Sequence, residues 1–309
     1  MPGFEDRSLV FGGAPPGTPW GTLGAIVRAA LAPEGYVVRI EPEASRGRCP
    51  GLVNSGALPF GATQALLTRW AFDGTHEYAG RTPLRRLRVI ASIMMPAWLG
   101  VAVRAEAGIL NLSDIAAQRR PVTVLGARGA LFERVLAHHG LSRAAIEGWG
   151  GSFRSMPHVP LDARPDWFRA GGIDVIMENI YAAFTPEAAC WWDASAFMNL
   201  RFLPLADDLI ATIVAELGGE PGEIPARLFR GVEAPVPSVY RPYQLIFGRD
   251  DMPDGFAYTL ARALDRHRGL FRATHIPFSY DSRTVARDNG IPLHPGVIAY
   301  YRERGYLDA

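Results

Sequence analysis

Lysine is missing from this 309-residue chain, and all 32 basic residues are arginine. That absence excludes the Schiff-base lysine of pyridoxal enzymes and aldolases and the phosphate-binding lysine of a Walker A loop. Cysteine is nearly as scarce. Cys49 and Cys190 are too few for a disulfide framework and lack the CxxC spacing of zinc or redox sites. Excess charge of either sign is lacking too, since 32 basic and 31 acidic residues leave a formal net charge of +1. Nucleic acid and acidic membrane surfaces are therefore poor partners, because neither finds the electrostatic surplus it needs. No apolar run reaches the ~18 residues that span a bilayer. The first residues, MPGFEDRS, offer neither a basic n-region nor an apolar h-region. The expectation is either a secretion signal already removed and a periplasmic protein, or a cytoplasmic protein that starts natively at Met1. The histidines form no HExxH, and His138 and His139 point to different faces of their helix, so neither a metal nor a cofactor is expected. No GxSxG elbow occurs, and Ser152 in GWGGSF lacks the strand-turn-helix context of a nucleophile.

What is present is an ordinary globular composition, 48% hydrophobic and 20% charged, in a chain long enough for two lobes that share one ligand. Its organising stretch is Leu9 to Leu31. Leu9, Val10 and Phe11 predict a buried strand, and Leu23, Ile26, Val27, Ala30 and Leu31 repeat at the spacing of one helix face. Between them, Gly12, Gly13 and Gly17 let the backbone approach a guest, three prolines stiffen the loop, and Thr18 or Thr22 can cap the helix. The helix N-terminus then faces whatever sits at the carboxyl edge of the strand, which favours a carboxylate or phosphate.

Tyr36–Ile40 predicts a second strand, and the loop after it carries Ser45, Arg46 and Cys49 just ahead of a short helix. An NSG turn and a strand ending at Gln64 follow. These elements begin a mostly parallel sheet, with Gly12–Pro19, Ser45–Cys49 and Gln64 converging beyond the strand ends. Further strands are expected at Arg88–Met95, Leu99–Arg104 and Val122–Leu125. Gly126–Ala130 then repeats the opening design of strand, glycine loop and helix. Arg201–Leu205 predicts a strand, Asp207–Leu217 a helix and the proline-rich Val232–Tyr243 a crossover. Tyr243–Phe247 returns to the first sheet, and Pro253-Asp254 start a helix with Phe256, Leu260 and Leu264 on one face. Lobe one is thus expected at 1–97 plus 243–309, with lobe two, 98–242, inserted between.

The order LVFGGAPPGTPW, NSGALPFGATQ, RAEAGILNLSDI, VTVLGARGA, IDVIM and PLHPGVIAYYRERG resembles the TAXI family of TRAP-transporter solute receptors, from about Leu9 to Leu307. The resemblance implies an α/β, two-lobed fold of the type II periplasmic-binding-protein kind, each lobe a mostly parallel sheet flanked by helices, with the ligand cleft between lobes. It also implies capture of a small organic acid or amino acid for transfer to TRAP membrane subunits. The candidate ligand contacts, taken from the loops at the strand ends and from the positions where this chain departs from the family, are Thr18, Trp20, Ser45, Arg46, Gln64, Arg128, Glu178 and Asn179. His294, in the PLHPG segment, reads as a packing or capping residue.

The chain departs from the family pattern at these loops. Ser45-Arg46 stands where the family has a Gly-Ser pair, and Gly126-Ala127-Arg128-Gly129-Ala130 where it has Gly-Ser-Gly-Thr. Arginines in place of hydroxyls suit bidentate clamping of carboxylates, although both side chains could equally point outward into water. Glu178, after the strand IDVIM, could bind a ligand amine, pair with Arg128, act as a general base or hold a hinge. Cys49, close to Arg46, Arg48 and a helix start, has surroundings that lower a thiol pKa. It could equally be a buried inert thiol. Two functions follow: a receptor that does no chemistry, or a cytosolic isomerase or decarboxylase of a carboxylic acid using Cys49 or Glu178 for proton transfer.

Overall fold

The apolar runs fold into two separate sheets. A computed structural model of the chain describes residues 4–14, 18–42, 44, 47–155, 164–170, 172–182, 189–274 and 279–308. In chain order its strands are β1 (Ser8–Gly12), β2 (Val37–Glu41), β3 (Phe60–Gln64), β4 (Leu87–Met94), β5 (Ala97–Arg104), β6 (Thr123–Gly126), β7 (Ser152–Arg154), β8 (Val175–Tyr181), β9 (Leu200–Phe202), β10 (Glu220–Ile224), β11 (Val236–Tyr240) and β12 (Tyr243–Arg249). The chain divides into two compact units. The first is Met1–Pro96 with Ala182–Glu187 and Pro242–Ala309, and the second is Ala97–Tyr181 with Ala188–Arg241.

The first unit has the strand order β2-β1-β3-β12-β4. β1 pairs in parallel with β2 and β3, while β12 runs antiparallel between β3 and β4. β1 to β4 therefore run one way, and their carboxyl ends share an edge. Helix α1 (Pro19–Leu31) covers β1 with the face its spacing predicts: Leu23, Val27, Ala30 and Leu31 are fully buried. The Phe11 ring meets Phe60 edge-on at 5.3 Å. The helix Asp254–Arg266 buries Phe256, Leu260 and Leu264, as its pattern requires. His294 does the capping expected of it. Its fully buried ring accepts the Gly296 N–H at Nδ1, 3.3 Å away, and so closes the start of the helix Pro295–Glu303.

The second unit has the order β10-β11-β5-β8-β6-β7, with β9 paired to β5. Here the expectation of a mostly parallel sheet is corrected. β6 pairs in parallel with β7 and β8, but β5 is antiparallel to β8, β9 and β11, and β10 is antiparallel to β11. The stretch Val232–Tyr243, expected as a crossover, also holds a strand, β11, and the chain passes from the second unit to the first between Arg241 and Pro242. Pro237 disguised that strand. Proline offers no N–H to a ladder, but β11 pairs with β5 only through Tyr240–Trp98, so no bond is missed on that side. The strand expected at Arg201–Leu205 is shorter and ends at Phe202. No helix among the described residues is long and apolar enough to cross a membrane.

Candidate functional site

In the second unit, three chain segments bring polar groups to one edge of the sheet. β6 and β8 run parallel; β6 ends at Gly126, opposite Met177, and β8 continues to Tyr181. The chain leaves β6 through Gly126 and Ala127, both with left-handed backbone (φ 90° and 55°), and the Ala127 N–H bonds back to the Met177 carbonyl at 2.6 Å. Only glycine suits position 126, where a Cβ would stand 2.2 Å from the Met177 oxygen and 3.1 Å from the Glu178 carboxylate. Gly129 then starts the helix Ala130–His138 without a side-chain cap. The positive end of that helix lies at the carboxyl end of β6.

Glu178 and Asn179 follow Met177 on β8, both half-buried. The Glu178 carboxylate accepts the Asn179 backbone N–H at 2.9 Å and its side-chain amide at 3.4 Å. The Asn179 carbonyl accepts the Trp191 indole N–H at 3.2 Å, and its side-chain oxygen accepts a hydrogen bond from the Arg241 guanidinium. Arg241 reaches this edge because it follows β11. Its backbone N–H bonds the Ala97 carbonyl at 2.8 Å, at the start of β5, opposite Tyr181 at the end of β8. The Arg241 side chain is only 9% exposed for the residue as a whole. Burial pulls its pKa down, and Tyr181 and Glu178 oppose that; a guanidinium nevertheless keeps its charge at neutral pH. Arg128 lies in the same glycine turn and is exposed.

In the first unit, the carboxyl edge of the sheet holds Thr18, Trp20 and Gln64. Thr18 caps α1, its hydroxyl oxygen accepting the Gly21 N–H at 3.0 Å. Trp20 is buried and donates its indole N–H to the Gln244 side chain at 3.1 Å. Gln64 ends β3 directly opposite Gln244 of β12. Trp20 and Gln64 are thus gathered around a buried Gln244 that no sequence pattern marked, because it lies inside the apolar run YQLIF. Ser45 and Arg46 lie outside the described residues.

Cys49 is corrected as a reactive thiol. It is fully buried in the helix Arg48–Ser55, among Ala44, Val53, Leu58 and Phe247. Its Sγ donates to the Gly12 carbonyl at 3.6 Å. Burial pushes the thiol up from its ordinary 9.0 to about 12, so the thiolate that a nucleophile or base needs is not formed at neutral pH. Its helix start does not offset desolvation. The glycines beneath it serve the same packing: a Cβ at Gly61 would stand 2.4 Å from Sγ, and one at Gly12 2.8 Å. Cys190 is buried too. Among the described residues no group of three His, Cys, Asp or Glu side chains is placed to hold a metal ion.

The model of the NMT1-like family matches residues 18–305 of the chain. Among solved structures, a TctC solute binding protein from Polaromonas aligns at 14% identity and a TM-score of 0.47, over 97% of this chain and 98% of that one. MatC from Rhodopseudomonas palustris, solved with bound malate, aligns at 12% and 0.46, over 97% and 95%. A TRAP periplasmic solute binding protein from Sulfitobacter, solved with bound β-D-galacturonate, aligns at 10% and 0.44, over 86% and 81%.

Proposed function

The chain belongs to the NMT1-like family, and on that premise we propose that it is a periplasmic solute-binding protein of the TAXI type. It takes up a small organic acid or amino acid and passes it, unchanged, to the membrane subunits of a TRAP-type transporter. The observation that carries this reading is Arg241. A cation removed from water is costly unless an anion or a full set of acceptors meets it. Arg241 stands at the carboxyl edge of the second sheet, where it donates to the Asn179 side chain and feels the charge of Glu178. A ligand carboxylate matches the planar fork of a guanidinium through a bidentate contact. Glu178, beside it, suits the ammonium group of an amino acid. The glycine turn at Gly126–Gly129 adds N–H groups and the positive end of a helix.

The enzymatic alternative loses half of its machinery with Cys49, whose proton is held by burial. Glu178 is then its only proton-transfer group, and its carboxylate already accepts from both amides of Asn179.

A thermal-shift screen against dicarboxylates, amino acids and aromatic acids tests the proposal. A ligand at 100 times its Kd adds ~2.7 kcal/mol to the stability of the form that binds it. The expected result is an upward shift with at least one of these acids that disappears in Arg241→Met and survives in Cys49→Ala. No shift with any acid, or a shift untouched by Arg241→Met, contradicts the reading.

A further inference from the structure

We propose that the first unit carries a separate site for a small multivalent anion of the pyrophosphate class, on its helical flank and away from any strand edge. A concavity of about 300 Å³ lies between the helices Asp254–Arg266 and Pro295–Glu303, with four arginines around it: Arg262, Arg266, Arg268 and Arg304. Its volume falls at the lower end of the range of small-ligand pockets. Arg262 and Arg266 stand one turn apart on one helix face, Arg268 follows the end of that helix, and Arg304 follows the end of the other.

The acids beneath these arginines are already occupied. Asp265 is 5% exposed and accepts the Tyr300 hydroxyl at 2.6 Å and the Tyr306 hydroxyl at 3.1 Å. It meets Arg304 at 3.3 Å and Arg268 at 3.7 Å. Glu34 takes Arg262 at 2.7 Å and lies 3.7 Å from Arg266. The third acid, Glu303, accepts the Tyr258 hydroxyl. Four guanidinium groups thus face three carboxylates, and Asp265 and Glu34 are each shared by two arginines.

Three of the four arginine side chains remain half or more in water, Arg266 at 63% exposed, Arg268 at 59% and Arg304 at 50%, whereas Arg262 is at 32%. Each guanidinium has five N–H donors in a fixed fork, more than the single contacts at 3.7 Å that Arg266 makes to Glu34 and Arg268 to Asp265 can use. Compensation of a helix dipole accounts for an arginine in a last turn. It does not account for four of them meeting at one hollow. An anion with several oxygens and more than one negative charge fits three converging forks, whereas a single carboxylate engages only one.

Isothermal titration calorimetry with inorganic pyrophosphate at fixed ionic strength tests the assignment. The proteins are the full chain, Arg266→Gln/Arg268→Gln, and Arg39→Gln as a control, since Arg39 is 67% exposed on the first unit and outside the hollow. The altered side chains are exposed, and far-ultraviolet circular dichroism confirms that each protein is folded. The expected result is saturable binding to the full chain, weakened at least about tenfold in the double variant and unchanged in Arg39→Gln. No saturable binding, equal binding to the double variant, or an equal loss in Arg39→Gln overturns the proposal. The hollow is lined by residues of the first unit and Arg241 belongs to the second, so Arg241→Met should leave pyrophosphate binding intact.

Discussion

Burial acts in opposite ways on Cys49 and Arg241. A thiol answers desolvation by keeping its proton. A guanidinium cannot shed its charge and must be met by partners. Cys49 should therefore resist iodoacetamide at pH 8 until the protein is unfolded, and rapid alkylation of the native state would contradict the burial account. The same shift sets a pH dependence. Cys49 is raised in the folded state from 9.0 to about 12, so its contribution to stability is fully present below pH 9 and lost as pH rises through that window. Urea unfolding between pH 8 and 11 should show stability falling, with Cys49 supplying up to ~1.4 kcal/mol per pH unit, and Cys49→Ala should flatten that slope. The neighbouring glycine is tested by Gly61→Ala. Its Cβ would stand 2.4 Å from Sγ and 2.9 Å from the Gly12 carbonyl oxygen, and overpacking of this kind costs ~1–3 kcal/mol. A melting temperature equal to that of the parent protein would sink the argument.

Among the elements, the C-terminal helix of the first unit is tied down by several polar contacts, among them the Tyr301 hydroxyl donating to the Ile90 carbonyl at 2.9 Å. His294 caps it, and Tyr300 ties it to Asp265 on the neighbouring helix. Tyr300→Phe should cost ~1 kcal/mol, read by urea unfolding at pH 7; no change would mean that the hydroxyl is idle. Burial lowers the pKa of His294 despite the opposing Asp254. The folded state thus favours the neutral ring, and stability is present above pH 6.5 and lost as pH falls below it. His294→Asn keeps a capping acceptor and removes the titration, so it should flatten the acid limb. An unchanged acid limb would assign that limb to other groups.

The elements that were legible in the sequence are those whose apolar spacing belongs to one face, such as α1 and the helix Asp254–Arg266. β11 was hidden by Pro237 within it and Pro235 just ahead of it, and the antiparallel pairing of the second sheet by the fact that strand direction is a property of connections. His294 was legible as a packing or capping residue through the family resemblance of the PLHPG segment and its distance in sequence from every glycine turn. Cys49 was left open between a reactive and a buried inert thiol because its sequence neighbours are charged while its spatial neighbours are Ala44, Val53, Leu58 and Phe247.

At the scale of the whole molecule, two units each place a glycine-bearing turn at the carboxyl ends of parallel strands. Glu178 and Asn179 stand out in the sequence as polar residues that interrupt an apolar strand. Arg241 and Gln244 do not. They join these edges through β11 and β12, so only the fold shows that they belong with residues 60 or more positions away. The proposal that this architecture binds and does not convert is tested most directly by chemistry on the ligand itself. An acid that raises the melting temperature should be incubated with a stoichiometric amount of protein for hours, then released by denaturation and analysed by proton NMR in deuterated water. The account predicts that it is recovered unaltered, with no exchange of its α-protons. A product, or deuterium incorporated at a rate that Glu178→Gln abolishes, would contradict it and make the protein an enzyme.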